Sequence, residues 1–509
     1  MRTSYTHRGA KIAKNTLLLY IRMFVLMLVG LYTSRVVLNA LGETDYGVYS
    51  VVGGVVAMFT MISGALNSAI ARFITFELGK ADDSRLNKVY CTSVNIQLIL
   101  AFVVVVLAEP IGLWFIDNKM SIDPVRIPAA QMVLHFSLAS FVINLMSVPQ
   151  MASITAHERM SAYAYIGIID GLLRLGVAFM ILNSTSDRLV LYAALMMGVV
   201  VIVRIAYGIY CRLNFPECRY RFLFDKALTK EMFSFAGWNF IGVTSGVLRD
   251  HGGNILVNLF SGPVVNAARA VAVQLNGSVQ SFVTNFMTAV NPQITKSYAA
   301  QDYDYVFPLI KKASRMSFYL LALLALPIIF NVELLLSIWL KEVPEHSGLF
   351  VQLFLIFAMS ESISQPLITA MLATGRIRNY QLVVGGIQLL NIPISYICLR
   401  AGAIPEITVV VAIALSQVCL FARLIMFGRV SGFSVPEFIR KVYLNVLKVL
   451  IVSILLPLTI SFILPEGWQW SVLNIIVCVL WTGGVILFMG CDKNDRKFLL
   501  DFLRRRKGE

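Results

Sequence analysis

The chain has 509 residues, of which 58% are hydrophobic and 14% charged, and its mean hydropathy is +0.76. Water-soluble domains carry about 25% charged residues and are less than half apolar, so the composition excludes a soluble enzyme and points to lipid as the solvent. The net charge of +15 then reads as topology, not nucleic-acid binding, because lysine and arginine collect on the cytoplasmic side of membrane proteins.

A helix needs about 20 apolar residues to cross the hydrocarbon. Runs of that size fall at 16–38, 48–71, 94–116, 128–154, 162–182 and 189–211. After a basic loop they resume at 233–260, 264–290, 316–336, 349–372, 382–399 and 407–427, with a last pair at 442–464 and 470–489. The first run is too long for a signal-peptide core and has no small-residue cleavage site, so it is the first span. The expected fold is all-α: a polytopic membrane protein of about fourteen transmembrane helices with no sizeable domain outside the bilayer.

The charges test this count. With the N-terminus placed in the cytoplasm, thirty of the 43 lysines and arginines fall in inner segments and five in outer loops, namely Lys119, Arg126, Arg188, Lys341 and Arg400. A wrong span count would scramble that bias. The inner set includes a basic C-terminal tail from Lys493 to Lys507. The reading is a multi-pass inner-membrane protein with both termini cytoplasmic.

The sequence also repeats itself. Ser147, Pro149, Ala156, Arg159 and Tyr163 recur as Ser364, Pro366, Ala373, Arg376 and Tyr380 at an offset of 217, and Gly42, Ala69, Ile74 and Thr75 meet Gly262, Ala289, Ile294 and Thr295 at an offset of 220. Spans one to six are thus duplicated as spans seven to twelve, giving lobes at 1–215 and 216–430 and two extra spans with the basic tail at 431–509. Six is even, so both copies enter the membrane in one orientation. Parallel repeats of this kind are a transporter architecture in which substrate binds between the lobes.

Eight basic residues remain inside spans: Arg22, Arg35, Arg174, Arg204, Arg249, Arg269, Arg423 and Lys448. Arg35, Arg423 and Lys448 lie near span ends and can snorkel. Arg22, Arg174, Arg249 and Arg269 lie deeper, where each costs about 2.5–3.5 kcal/mol if lipid-facing. Helical phase puts Trp238, Gly242, Ser245 and Arg249 on one polar stripe of span seven, and Asn266, Arg269, Asn276, Gln280, Thr284 and Thr288 on another in span eight. Both stripes are expected to line a wet, cationic cavity, with Arg22, Arg174, Arg249, Arg269, Asn276 and Gln280 as substrate-binding candidates. The deep carboxylates Asp170, Asp250 and Glu361 are candidates for coupling to H⁺ or Na⁺. Asp170 and Arg174, four apart on one helix, equally suit mutual neutralisation, and Asp250 and Glu361 equally suit buried structural pairs, Arg249 being the partner considered for each.

No catalytic constellation accompanies them. The seven cysteines show no CxxC or CxxH spacing, so neither a metal site nor a disulfide framework is expected. His7, His135, His157, His251 and His346 are scattered, and only His251, beside Asp250, stands near another candidate. There is no P-loop, no cofactor motif, and no outer loop long enough for a membrane glycosyltransferase or polymerase.

The opening stretch NTLLLYIRMFVLMLVGLYTSRVVLNALGETDYGVYSVV and the run GALNSAIARFITFELGK resemble the polysaccharide transporters of the multidrug/oligosaccharidyl-lipid/polysaccharide exporter superfamily. The resemblance spans nearly the whole chain, including the two extra spans. It implies a flippase, not an enzyme, that carries a polyprenyl-pyrophosphate-linked oligosaccharide, the repeat unit of O-antigen, capsule or exopolysaccharide, from the inner to the outer leaflet, beside polysaccharide polymerase machinery. The alternatives are a flippase for the peptidoglycan lipid precursor and a cation-coupled multidrug exporter.

Overall fold

Every regular element among the described residues is helical, as lipid requires: without water, each backbone N–H and C=O must be satisfied within its own segment. The computed structural model describes residues 2–57, 59–120, 122–182, 184–340, 343–463, 467–492 and 496. Lys341 and, apart from Arg496, the expected basic tail lie outside the described residues. The elements that matter here are α1 (Arg2–Ala57), α2 (Thr60–Lys80), α3 (Asp83–Asn118), α4 (Ile127–Ala156), α5 (Met160–Leu182) and α6 (Arg188–Asn214). They are followed by α7 (Lys226–Ala299), α8 (Tyr303–Phe330), α9 (Val332–Trp339), α10 (Ser347–Ala373), α11 (Arg378–Leu389), α12 (Asn391–Arg400) and α13 (Ile407–Ser431). The chain then runs through α14 (Val435–Phe438), α15 (Leu444–Ile463) and α16 (Trp468–Val485).

Among the described residues, twelve helical stretches are long and apolar enough to cross a membrane. Two breaks carry that number to the expected fourteen. The 74 residues of α7 would run about 110 Å if straight, far beyond a hydrocarbon layer of about 30 Å. Its helix is interrupted at Gly262 (φ 80, ψ −179), so its two limbs are spans seven and eight. α1 is interrupted in the same way at Gly42 (φ 77, ψ 172), and the residues from there through α2 form span two. That backbone region is open essentially to glycine alone. The two glycines are also one of the pairs at an offset of 220, so the duplication reaches down to a backbone angle. The fold is all-α, with two parallel six-span repeats followed by two further spans.

Side-chain chemistry explains a further break. Span eleven is divided into α11 and α12 around Leu390, because Pro393 has no N–H to offer the Leu389 carbonyl and its ring crowds it. α3 leaves Leu98, Phe102, Val106 and Trp114 exposed at helical spacing, the lipid-facing stripe of a spanning helix. None of the seven cysteines, all of them among the described residues, is in a disulfide.

The chain forms two compact units, residues 1–240 with 295–301, and residues 241–294 with 302–509. The sequence repeat divides at 215, whereas the contacts divide inside α7. The first part of that helix is held by α2: the Phe73 and Phe235 rings meet edge-on at 5.8 Å, and Asn239 donates to the Ala65 carbonyl at 3.3 Å. In the first unit α4 packs on α3 and α6, and Val133, Leu134 and Leu138 of α4 join Val104 and Ala108 of α3 in one core. The segment after α6 lies along α3, where Asn87 donates to the Glu217 and Arg219 carbonyls at 2.7 and 3.0 Å and Asn95 to the Leu223 carbonyl at 2.8 Å.

The same unit has a charged knot at the α4–α5 turn. Glu158, buried and in the left-handed region (φ 57), takes Lys11 at 2.9 Å and Lys296 at 3.1 Å. Burial alone would push its carboxyl up, but the two ammonium groups outweigh that and hold it below the ordinary glutamate value. Gly79, at the end of α2, lets the chain at Lys296 come close: a Cβ there would lie 2.6 Å from the Lys296 carbonyl oxygen. In the second unit α10 is central, packed on α8 and α13, with α16 laid on α8 and α15 on α16.

Candidate functional site

The deep arginines of α7 meet on one face of α10. The Arg249 guanidinium lies 4.8 Å from the centre of the Phe357 ring, and that of Arg269 lies 5.3 Å from the centre of Phe354. Phe354 and Phe357 are three positions apart, hence neighbours on one helical face. The break at Gly262 places the two limbs of α7 so that both arginines reach this aromatic floor, where cation–π attraction partly replaces lost hydration. Arg269 is only 6% exposed; it donates to Asn254 Oδ1 at 3.2 Å and to the Asp250 carbonyl at 3.1 Å, while its buried Nε has no partner. Arg249 donates through Nε to Asp250 Oδ1 at 2.9 Å. The Asp250 side chain stays open, at 60% exposure. Gly253 leaves room for Arg269, since a Cβ there would sit 3.1 Å from its NH2 group.

Glu361 lies one turn beyond Phe357 on the same face, but its partner is not Arg249. It pairs with Arg423 of α13 at 3.5 Å, and Arg423 is 3% exposed at its side chain. This corrects the expectation that Arg423 snorkels: a carboxylate four turns from the start of α10 gives it a reason to stay inside. Next to this pair Ser360 contacts Ser416 and accepts from Gln417 at 2.5 Å, and Tyr443 donates to Gln417 at 3.1 Å.

The stripe on span seven is also placed differently from the expectation. Gly242 lies directly against Gln381, and a Cβ on Gly385 of α11 would come within 2.8 Å of Ser245 Oγ. Ser245 is buried and donates back to the Ile241 carbonyl at 2.8 Å. Small residues at these positions let two helices approach closely, so Gly242 and Ser245 form a packing seam with α11, not a wet wall. Only the Arg249 end of the stripe reaches the aromatic floor. On the second limb Asn276 and Gln280 are half-buried, two and three turns from Arg269 on its face. The Asn276 Oδ1 is buried without a hydrogen-bond partner. Thr284 and Thr288 donate back to the carbonyls of Gln280 and Thr284 at 3.1 and 2.8 Å.

The first unit holds the other candidates. The Arg22 guanidinium stacks 4.4 Å from the Tyr163 ring centre, against Gly167, where any side chain would collide with it; its Nε is buried and unpartnered. Asp170 and Arg174 pair with each other at 2.9 Å, 29% and 39% exposed, the neutralising arrangement their spacing allows. The two tyrosines of the repeat, Tyr163 and Tyr380, thus each stand by a deep arginine, Arg22 and Arg423. Sequence reading missed the aromatic floor, although Phe354 and Phe357 at a spacing of three in a span bearing Glu361 are a legible signal for it.

Comparison with known proteins gives this arrangement its place. The fold matches an outward-facing multidrug resistance MATE family transporter of the MOP superfamily with a TM-score of 0.72 at 12% identity, over 84% of this chain and 97% of that one. A MATE protein in its bent conformation matches with a TM-score of 0.72 at 12% identity, over 84% of this chain and 96% of that one. A MOP superfamily transporter from Pyrococcus furiosus, described as having a binding pocket of reversed polarity, matches with a TM-score of 0.66 at 12% identity, over 85% of this chain and 96% of that one. No curated protein matches the sequence. The profile of the polysaccharide biosynthesis protein family matches residues 12–298, more than half of the chain. The chain therefore belongs to the polysaccharide biosynthesis protein family, built on the fold of the MATE transporters of the MOP superfamily.

Proposed function

We propose that the protein is a flippase that carries a polyprenyl-pyrophosphate-linked oligosaccharide repeat unit from the inner to the outer leaflet of the bacterial inner membrane, with both termini in the cytoplasm. The observation that carries this reading is the pair Arg249 and Arg269 on Phe354 and Phe357, deep in a chain of a polysaccharide family. A pyrophosphate and a hydrated glycan cannot cross hydrocarbon unaided, whereas a polyprenyl tail can stay in lipid. Guanidinium forks supply bidentate, charge-assisted hydrogen bonds that replace water around the phosphates. The unpartnered Nε of Arg269 has a donor to give, and Asn276 and Gln280 extend the polar face toward the sugars. All three coupling candidates are paired with arginines, Glu361 with Arg423, Asp170 with Arg174 and Asp250 with Arg249. Asp250 is the most exposed of the three, at 60%, and is the one assigned to H⁺ or Na⁺ coupling.

The test is loss of the gene product in cells that make a surface glycan, with lipid-linked intermediates assayed by leaflet. The expected outcome is loss of the glycan and accumulation of its lipid-linked repeat unit in the inner leaflet. Intact surface glycan with altered drug sensitivity would replace this reading by a cation-coupled exporter, and accumulation of peptidoglycan precursor would replace the substrate. Arg249→Ala should abolish flipping at normal protein level, and Arg249→Lys should restore it only in part, because an ammonium keeps the charge without the fork.

A further inference from the structure

The second unit contains a cavity of about 310 Å³ that none of the transport chemistry above uses. It is framed by the α8–α9 junction, the start of α10, the end of α15 and the start of α16, with Asn331, Gln352, Ser461, Trp470, Ser471 and Asn474 in its wall. These segments join span nine to span ten and span thirteen to span fourteen. With an even number of spans, both junctions lie on the face opposite the two termini. Gln352 and Phe354 are two positions apart, so at 100° per residue they occupy opposite sides of α10. The cavity and the arginine floor are therefore separate.

We propose that this cavity is a binding site for an uncharged pyranose sugar. Three features carry the inference. The wall combines amides and hydroxyls with one indole: Trp470 supplies a flat apolar face for a sugar's C–H face, and the amides match its hydroxyls. The amide nitrogens are already used inward, Asn331 donating to the Pro327 carbonyl at 3.0 Å, Gln352 to the Ile329 carbonyl at 2.9 Å and Asn474 to Ser461 Oγ at 3.0 Å. That fixes each side chain and leaves its oxygen as an acceptor for sugar O–H groups. Asn474 is 4% exposed, and its Oδ1 is buried with no partner, an unmet acceptor in the wall at a standing desolvation cost. No lysine or arginine lines the cavity among the described residues, and the acidic Glu333 is one of the lining residues, so the site disfavours uronic acids and phosphates. The volume falls within the range of about 300–1,000 Å³ usual for small-ligand sites.

The inference goes beyond the flippase reading and stands or falls without it. Equilibrium binding of radiolabelled N-acetylglucosamine to the full chain in nanodiscs is expected to saturate at one site, to be competed by unlabelled galactose and not by glucuronate. Asn474→Leu and Gln352→Ala should each weaken it about tenfold, the worth of one good hydrogen bond to a buried group, in protein that still melts cooperatively well above the assay temperature. Absence of saturable binding, or binding indifferent to both substitutions, overturns the assignment and leaves the leaflet assay untouched. Flip rates of Asn474→Leu then separate two sources of the sugar. A slowed rate identifies the glycan of the arriving lipid-linked unit, and an unchanged rate a free or polymeric glycan on that face.

Discussion

The two compact units carry the same repeated fold but hold their buried charges in different places. In the first unit they sit at helix ends: Glu158 gathers Lys11 and Lys296, and the buried Glu77 takes Arg85 at 3.2 Å and Lys80 at 3.9 Å. Deeper in that unit, Arg22 rests on a tyrosine ring and Arg174 is neutralised within its own helix. The second unit also has such ties, with buried Glu406 taking His346 at the start of α13 and buried Arg315 taking Asp492, but it adds mid-helix charges, with Arg249 and Arg269 on the rings of α10 and Arg423 against Glu361. Charges at helix ends tie connections together at little cost, because water is near. Charges in the apolar interior are expensive and persist where they do something. The duplicated backbone thus keeps its break at both Gly42 and Gly262, while the two arginines stacked on rings of α10 belong to the second unit.

The largest effect expected from breaking this asymmetry is at Arg423 and Glu361. Arg423→Met leaves Glu361 unpaired in the interior, and Glu361→Leu leaves Arg423 unpaired. Each should cost about 3–5 kcal/mol and lower the amount of folded protein. The double substitution should recover most of the loss, since an apolar pair of similar volume removes both desolvation costs. Melting curves of the two single variants and the double measure this directly. If Glu361→Leu alone is as stable as the parent, the pair is not a structural element, and Glu361 returns to the coupling candidates.

A smaller effect, confined to the first unit, is expected at Glu158. Its folded-state value is depressed, so its contribution is fully present above the ordinary glutamate value of about 4.3 and is lost as pH falls through the lower folded value. The melting temperature of the parent should therefore drop as pH is taken from about 5 toward 3. Glu158→Gln should lower it at neutral pH and flatten that acid-side slope. An unchanged slope would mean that the Lys11–Glu158–Lys296 knot contributes nothing measurable.

Much of this was legible in the chain, and what was not has a physical reason. Span number depends on apolar length alone, a one-dimensional property, and the glycine pair at an offset of 220 marked both helix breaks. That Arg249 and Arg269 are withdrawn from the surface was also readable. Partnership was not. Arg423 lies near the end of its apolar run, so position alone suggested snorkelling, whereas its partner is 62 positions away on α10. The stripe ending at Arg249 misled because glycine and serine serve close helix packing as well as water, and helical phase cannot distinguish the two. Only the neighbouring Gln381 and Gly385 settle it.

The smallest effect separates a local pair from a functional one. Asp170 and Arg174 are four apart on α5, joined at 2.9 Å and about a third exposed. Pairs of that kind contribute about 0.3–0.5 kcal/mol in an exposed helix. Removing both charges, as in Asp170→Asn with Arg174→Gln, should therefore leave the melting curve within about 0.5 kcal/mol of the parent. Removing Asp170 alone frees a guanidinium that still has solvent around it, so it too should be mild, in contrast to Glu361→Leu. Flipping then decides the role. A structural pair predicts normal flipping in the double variant. Loss of flipping at unchanged stability would place Arg174 with Arg249 and Arg269 in substrate binding, and would show that the first unit shares the transport chemistry after all.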